Sequence, residues 1–355
     1  MKRPIAPEPM DPPLILTRTE VARLMDFSDY VAAVEQGFRA SATGGTVSSV
    51  PLHIAAQGGG FHAKAALIRA AKPYTAVKIN GNFPGNPERN GLPTIQGVIV
   101  LFDADNGCVL AVMDSIEITL HRAAAATALA ARYLARPASA TATICGCGDQ
   151  GRVQLAALRH ALPLRHVHAW DIDAAKAKDF ADEMGSRWNL DIRPAASLRA
   201  AATASDAIVT CTTAHQPFLG RADVAPGTFI AAVGADSHDK SELEPDLMGA
   251  ATVVADVLAQ CVVMGDLHHA IRAGAMHAED VHGELGELVV GAKRGRSGDG
   301  EITIFDSTGT AIEDVASAAR VYERASAEGI GMPCRLGARP WRGGVPRSPD
   351  WRHHD

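Results

Sequence analysis

The sequence predicts an α/β protein of two parts: a doubly wound parallel sheet of the Rossmann kind, and a smaller antiparallel-sheet unit ahead of it. Three observations carry this. From about residue 140 onward, short apolar runs alternate with helix-like runs, the pattern of parallel strands buried on both faces. Before residue 121 the apolar runs are separated by turn chemistry instead, and Asp105-Asn106-Gly107 between two of them is a strong hairpin signal. The length of 355 residues is too great for one ordinary domain and suits two, each with its own core.

Taken in order, the proline-rich start "MKRPIAPEPMDPPLIL" has no apolar core long enough for a signal peptide. Residues 17–20, "TRTE", have capping-box spacing, and "SDYVAAVEQGFRASATGG" predicts an amphipathic helix from Ser28, closed by Gly44 and Gly45. The strands of the first part are "FHAKAALI", "YTAVKING", "TIQGVIVLFD" and "CVLAVMDS", with little helix among them. The alanine-rich "SIEITLHRAAAATALAARYLARP" predicts a long helix that ends before Pro137 and joins the two parts. Alternation then runs through "ATATICG", "QGRVQLAALRHAL", "RHVHAWD", "DAAKAKDFADEMG", "LDIRPA", "SLRAAATA", "DAIVTCT", "GTFIAAVG" and "ATVVADV". A last strand, "EITIFDS", precedes the helix "IEDVASAARVYERASAEG", which is expected to pack back on the first part. The expected division is therefore 1–121 with 312–335, then 122–311, then a C-terminal extension, 336–355.

Composition narrows the classes. With 47% hydrophobic and 21% charged residues, a net charge of −6 and a mean hydropathy near zero, the chain reads as soluble and globular. There is no electrostatic case for nucleic acid, and no run approaches the roughly 18 apolar residues that span a bilayer. Six scattered cysteines, several in strand-like runs, suggest small buried hydrophobes in a reducing cytoplasm. Cys145 and Cys147 flank one glycine, but no further His or Cys neighbours complete a metal site, so none is expected.

Two stretches carry chemistry. "TICGCGDQGR" places Gly146, Gly148 and Gly151 in the G-x-G-x-x-G spacing, directly after an apolar strand and at the opening of a helix. That context suits a tight turn, close backbone approach to a pyrophosphate and a helix N-terminus aimed at negative charge. The next strand ends in "HAWDID", so Asp171 stands where a carboxylate binds ribose hydroxyls; it favours NAD over NADP, although a nearby Arg can override it. In doubly wound sheets the reacting groups lie beyond the carboxyl ends of the strands. Asp236, immediately after "FIAAVG", meets that condition, though from position alone a helix-cap or turn Asp is the commoner role. Lys78 interrupts an apolar strand, where a surface or edge lysine is the ordinary alternative. Arg122 lies among small apolar helix neighbours (Ile118, Thr119, Ala125, Ala126), so a buried arginine holding a carboxylate competes with a solvated one.

Together these residues resemble the ornithine cyclodeaminase and mu-crystallin family, which also contains alanine dehydrogenases and cyclic ketimine reductases. The likeness runs from roughly Leu14 to Gly331 through "VKINGNFPGN", "GLPTIQG", "ITLHRAAAATALAA", "TICGCGDQGR", "VGADSHDKSEL" and "ITIFDSTGTAIEDV". It implies that the antiparallel part is a substrate-binding and dimerisation domain, and that the protein is a homodimer. By the same likeness Lys78 and Arg122 grip a substrate carboxylate, and Asp236 is the acid/base beside the substrate nitrogen. Gly146, Gly148, Gln150 and Gly151 match the pyrophosphate loop, Asp171 the ribose carboxylate, and Thr212, Val233, Ser307 and Gly309 further cofactor contacts. The chain also departs from the family. His53 stands in "PLH" where an arginine is frequent, Ala123 replaces the usual Thr after the arginine, and Lys64 aligns with the glutamate that holds the distal ammonium of ornithine. A cation there would repel ornithine and favour a neutral or anionic end.

The leading expectation is thus an NAD(H)-dependent amino-acid or imino-acid oxidoreductase acting on a small substrate. The runner-up is an ornithine cyclodeaminase, which returns the hydride and releases ammonia. A third reading is a non-catalytic protein that binds NAD(P) or a small ligand, as the likeness to mu-crystallin allows.

Overall fold

In the computed structural model, described for residues 12–334 and 336, two eight-stranded sheets flank a buried helix. The expected extension 336–355 lies outside the described residues except for Leu336.

The first sheet runs in the order β16 (Met332–Pro333), β1 (Leu14–Leu16), β7 (Val109–Asp114), β6 (Ile95–Asp103), β5 (Tyr74–Asn82), β4 (Gly59–Ile68) and β2 (Thr46–Ser48), with β3 (Leu52–Ala56) also paired to β4. The four expected strands are its centre, and they are antiparallel. Gly107, at φ +75°, closes the turn between β6 and β7 as Asp-Asn-Gly predicts. The sheet is nevertheless mixed, because β1 pairs with β7 in parallel. Three residues inside a proline-rich start show no alternation, so β1 left no periodic signal. The expected helix runs over Phe27–Ala42, one residue earlier than Ser28, because Asp26 and Asp29 form a reciprocal cap at 2.9 Å in each direction.

The second sheet is wholly parallel, in the order β10 (Asp191–Pro194), β9 (His166–Trp170), β8 (Thr141–Cys145), β11 (Ala207–Thr210), β12 (Phe229–Ala232), β15 (Thr303–Asp306), β13 (Thr252–Ala255) and β14 (Gly283–Glu284). Every residue of β11, β12 and β15 is buried, which is why those strands read as unbroken apolar runs. The order reverses between β8 and β11, and such a switch point opens a crevice at the carboxyl ends of the strands.

The helix Ile116–Leu134 packs against both sheets, and its residues from Arg122 to Ala131 are all buried. Alanine is small enough for neighbouring elements to approach on every side, and it is the strongest helix former. The helix Ala311–Glu328 packs on β4, β5 and the helix Phe27–Ala42. No described helix is long and apolar enough to cross a membrane.

Candidate active site

At the end of β8 the chain turns through Gly146 at φ +102°, where a Cβ would meet the Cys211 carbonyl oxygen at 2.8 Å. A Cβ on Gly151 would lie 2.1 Å from the Gly146 oxygen. Both glycines are therefore required by the turn itself. Gly148 differs: it caps the helix Asp149–Ala161, and nothing lies within 4 Å of the space a Cβ would take. The open side of the loop, beside free N–H groups at a helix N-terminus, fits the pyrophosphate of a dinucleotide. Asp171 braces the loop, one oxygen accepting from the Cys147 amide at 2.9 Å and the other from Asp173 at 3.0 Å. Gln150 accepts only a long bond, 3.5 Å, from Gln154.

The remaining expected cofactor contacts sit at neighbouring strand ends. Val233 donates its amide to Thr210 at 2.8 Å, and Ser307 donates its own to Ala232 at 2.9 Å. Thr212 donates both amide and hydroxyl to the Glu242 carboxylate, at 2.6 and 2.7 Å. Gly309, at φ +70°, passes so close to Arg122 that a Cβ would lie 2.4 Å from its guanidinium.

Lys78, Arg122 and Lys64 converge from β5, the linking helix and β4. Lys64 and Lys78 are direct register partners, which puts both side chains on the same face of the sheet. Lys78 is 5% exposed and Arg122 7%, so the surface roles open to them in sequence are not the ones they take. The Lys78 ammonium lies 2.7 and 2.8 Å from the two Asp314 oxygens; Arg122 donates to Asp314 at 3.1 Å and to Glu313 at 2.9 Å. Lys64 donates to the carbonyl oxygens of Thr308 and Gly309, at 3.1 and 2.7 Å. Its ammonium is thus a tether for the turn that carries Gly309, as well as a positive charge near the site.

Burial pushes the Lys78 ammonium down to about 8; Asp314 opposes the drop, and the like charges of Arg122 and Lys64 add to it. Burial acts on Asp314 in the opposite sense, but Lys78 and Arg122 outweigh it and hold the carboxyl below its usual range. The two partners differ because the acid has two cations against it, whereas the lysine has one close acid and two cationic neighbours.

Asp236 follows β12 and keeps 54% of its side chain exposed, paired with Lys240 at 2.6 Å. The surrounding protein raises its carboxyl, but Lys240, Lys64 and His62 together leave it below the ordinary value. His62 therefore belongs to the crevice. His53 stacks on it with ring centroids 4.5 Å apart, which places His53 one ring away from the charged cluster.

A second group of ionisable residues lies behind the strand ends: Glu242, Asp256, Asp266 and Asp306, each at most 1% exposed. Sequence reasoning assigned none of them to the site, nor Glu313 and Asp314. A signal existed for two of them, since "TVVAD" and "ITIFD" end apolar strands in a carboxylate just as "FIAAVGAD" does.

A doubly wound parallel sheet whose first strand ends in a glycine turn at a helix N-terminus defines the class of dinucleotide-binding α/β proteins. The sequence profile of the ornithine cyclodeaminase/mu-crystallin family matches residues 12–329, and the chain belongs to that family. It is 37% identical over 324 residues to an alanine dehydrogenase of Archaeoglobus fulgidus, a match that covers 91% of this chain and 98% of the relative. Among solved structures it resembles an archaeal alanine dehydrogenase dimer with bound NAD (TM-score 0.87, 36% identity, 92% and 99% of the two chains). It also resembles the Thermococcus litoralis Δ1-pyrroline-2-carboxylate reductase in complex with NADH and L-proline (TM-score 0.86, 31% identity, 90% and 99% covered).

Proposed function

We propose that this protein is an NAD(H)-dependent amino-acid or imino-acid oxidoreductase acting at the Cα of a small α-amino acid or its imine. The observation that carries the reading is a buried cationic cluster, Lys78 and Arg122 beside Lys64, whose Lys64 charge also acts on the exposed Asp236 carboxylate just beyond β12 of a dinucleotide fold. Bound NAD or NADH would supply the hydride acceptor or donor. Gly146, Gly148, Gln150 and Gly151 would cradle its pyrophosphate, Asp171 its ribose, and Thr212, Val233, Ser307 and Gly309 the strand-end wall of its groove.

Lys78 and Arg122 hold the substrate carboxylate, sharing their charge with Asp314 and Glu313, so the pocket is preorganised before substrate arrives. Asp236, ionised at neutral pH, takes a proton from the substrate ammonium in the oxidative direction and returns it to nitrogen in the reductive one. Lys78, brought down to about 8, is the second group able to move a proton near neutrality. The Lys64 charge disfavours a distal ammonium, which argues against ornithine. His53 and His62 line the approach to Asp236.

The two-part division near residues 121 and 311 follows from the same reading, as does a cytoplasmic homodimer. The outward face of the first sheet supports the dimer: Leu52, Ile54, Phe61, Ile79 and Val98 remain 42–56% exposed on neighbouring strands.

The test is a panel of α-amino, α-keto and α-imino acids assayed in parallel for NADH change and ammonia release. Stoichiometric NADH change with a small neutral or acidic substrate is expected, with Asp236→Asn reducing kcat by 10²-fold or more. Ornithine-dependent ammonia without net NADH change would replace this reading with the cyclodeaminase.

A further inference from the structure

We propose that Glu242 is a positioning residue that locks the cofactor wall to the segment carrying Asp236, and that its ionisation governs dinucleotide binding. This rests on the proposed function for its catalytic consequence, but the lock itself is visible in the geometry. Glu242 is fully buried. One oxygen accepts from the amide and hydroxyl of Thr212, at 2.6 and 2.7 Å; the other accepts from the amide of Gly234 at 2.9 Å. Thr212 lies just beyond β11 and Gly234 just beyond β12, so one carboxylate joins the exits of two adjacent strands. Asp236 stands two residues further on, its amide bonded to the Gly234 oxygen at 3.0 Å. The approach is so close that a Cβ at Gly234 would lie 2.4 Å from Glu242.

Donor accounting shows why a carboxylate is needed. The Thr212 hydroxyl already accepts from the Ala214 amide at 3.1 Å, so its own proton is directed at Glu242. Three donors therefore converge on two oxygens, and the ionised group accepts all three with no proton of its own to place. A proton on either oxygen takes up one of its lone pairs and removes the charge that strengthens all three bonds, so it weakens the lock. Glu242 is itself held from behind. Asp266 accepts from the Glu242 and Leu243 amides at 2.7 and 3.0 Å and from the Ser241 hydroxyl at 3.3 Å.

The charged and titratable groups facing Glu242 are Asp266 from the helix Asp266–Arg272, Lys240 on its own segment, and the thiols of Cys145 and Cys211. Burial and the Asp266 charge push its carboxyl up to about 7, against the pull of the Thr212 donors. Acidification through neutrality should thus release the lock.

The experiment is an NADH-binding titration from pH 5.5 to 8.5, with kcat/KM for the best substrate followed in parallel. Wild type is expected to weaken about tenfold or more on the acid side of neutrality, the scale of one hydrogen bond to a charged group. Glu242→Gln places an amide N–H against a donor permanently, so it should bind weakly at every pH and show no such limb. Asp266→Asn keeps the acceptor for the Glu242 amide while removing the like charge, so its limb should move to lower pH with affinity at pH 8 retained. A Glu242→Gln protein that melts early but keeps the wild-type pH profile would overturn the proposal and leave Glu242 a purely structural residue. If Glu242→Gln does not fold, an unmoved limb in Asp266→Asn overturns it equally. Because NADH binding needs no turnover, failure of every amino and imino acid as substrate would sink the assigned reaction while leaving this result readable.

Discussion

Two buried clusters of ionisable groups adjoin at the turn through Thr308 and Gly309, and they are stabilised in opposite ways. In the first, Lys64, Lys78 and Arg122 alternate with Glu313 and Asp314, and each ion pair is formed between opposite charges. In the second, Glu242, Asp256, Asp266 and Asp306 carry one sign only and are held by donors. The Val257, Thr308 and Gly309 amides all point at Asp256, at 2.6, 2.7 and 2.8 Å. The proton affinities follow the arrangement in part, since burial raises Glu313 of the first cluster as well, against its Arg122 partner. Asp314 is held below the usual range, whereas burial, with the charge of an acidic neighbour at Glu242 and Asp306, raises Glu242 to about 7, Asp266 to about 6 and Asp306 well above its ordinary value. The contrast teaches that Asp314 is a counterion to the cations around it, whereas Glu242, Asp266 and Asp306 are brackets whose hold depends on proton binding.

The sharpest way to break the comparison is to remove the counterion. Asp314→Ala strands two buried cations beside a third, and breaking a buried pair from one side costs about 3–5 kcal/mol. Chemical denaturation at pH 7 should show that loss. The substrate KM should also rise, because Lys78 without Asp314 is deprotonated more readily. A loss below about 1 kcal/mol would mean that charge complementarity does not hold the first cluster.

The next effect is smaller and depends on pH. An acid whose native pKa is raised binds its proton more tightly in the folded than in the unfolded state. Its contribution is complete below the ordinary carboxylate value and is lost as pH rises through the native one. For Asp266 that window runs from about 4 to about 6. For Asp314, with a lowered native pKa, the contribution is present above the ordinary value and lost as pH falls. Asp266→Asn should therefore gain on wild type as pH rises, by on the order of 1–3 kcal/mol at pH 8, with little difference at pH 4. Melting curves at the two pH values measure it; a constant difference would show that the second cluster does not bear like charge.

How much of this was legible in sequence follows from the same physics. The parallel sheet was readable because burial on both faces leaves unbroken apolar runs, and the glycine loop because backbone contact tolerates no Cβ at Gly146 or Gly151. Lys78, Arg122 and Asp236 were singled out because each interrupts or ends an apolar pattern. Asp314 and Glu313 lie in the first turn of a helix, where acids are the normal complement to the helix dipole, so nothing marked them as partners of residues 190 or more positions away. Short strands such as β1 and β16, and the helices between residues 257 and 290, are set by tertiary pairing and carry too few residues for a period.

The smallest expected effect belongs to the pair of Asp236 and Lys240. Asp236 is open to solvent and joined to Lys240 at 2.6 Å, so the pair is worth about 0–1 kcal/mol to the fold after screening. Lys240→Met should leave the denaturation midpoint nearly where it is. Its effect should fall on chemistry: with Lys240 gone, burial is opposed only by Lys64 and His62, and the Asp236 carboxyl rises. Activity that depends on ionised Asp236 should then be lost at a higher pH than in the parent. The measurement is kcat/KM against pH in a Glu242→Gln background, where Glu242 no longer titrates and a limb that moves with Lys240→Met is the one that reports Asp236. A limb that shifts while stability holds identifies the crevice carboxylate as tuned for proton transfer. A variant destabilised by several kcal/mol, with the limb fixed, would place Lys240 and Asp236 with the buried ion pairs of the first cluster instead.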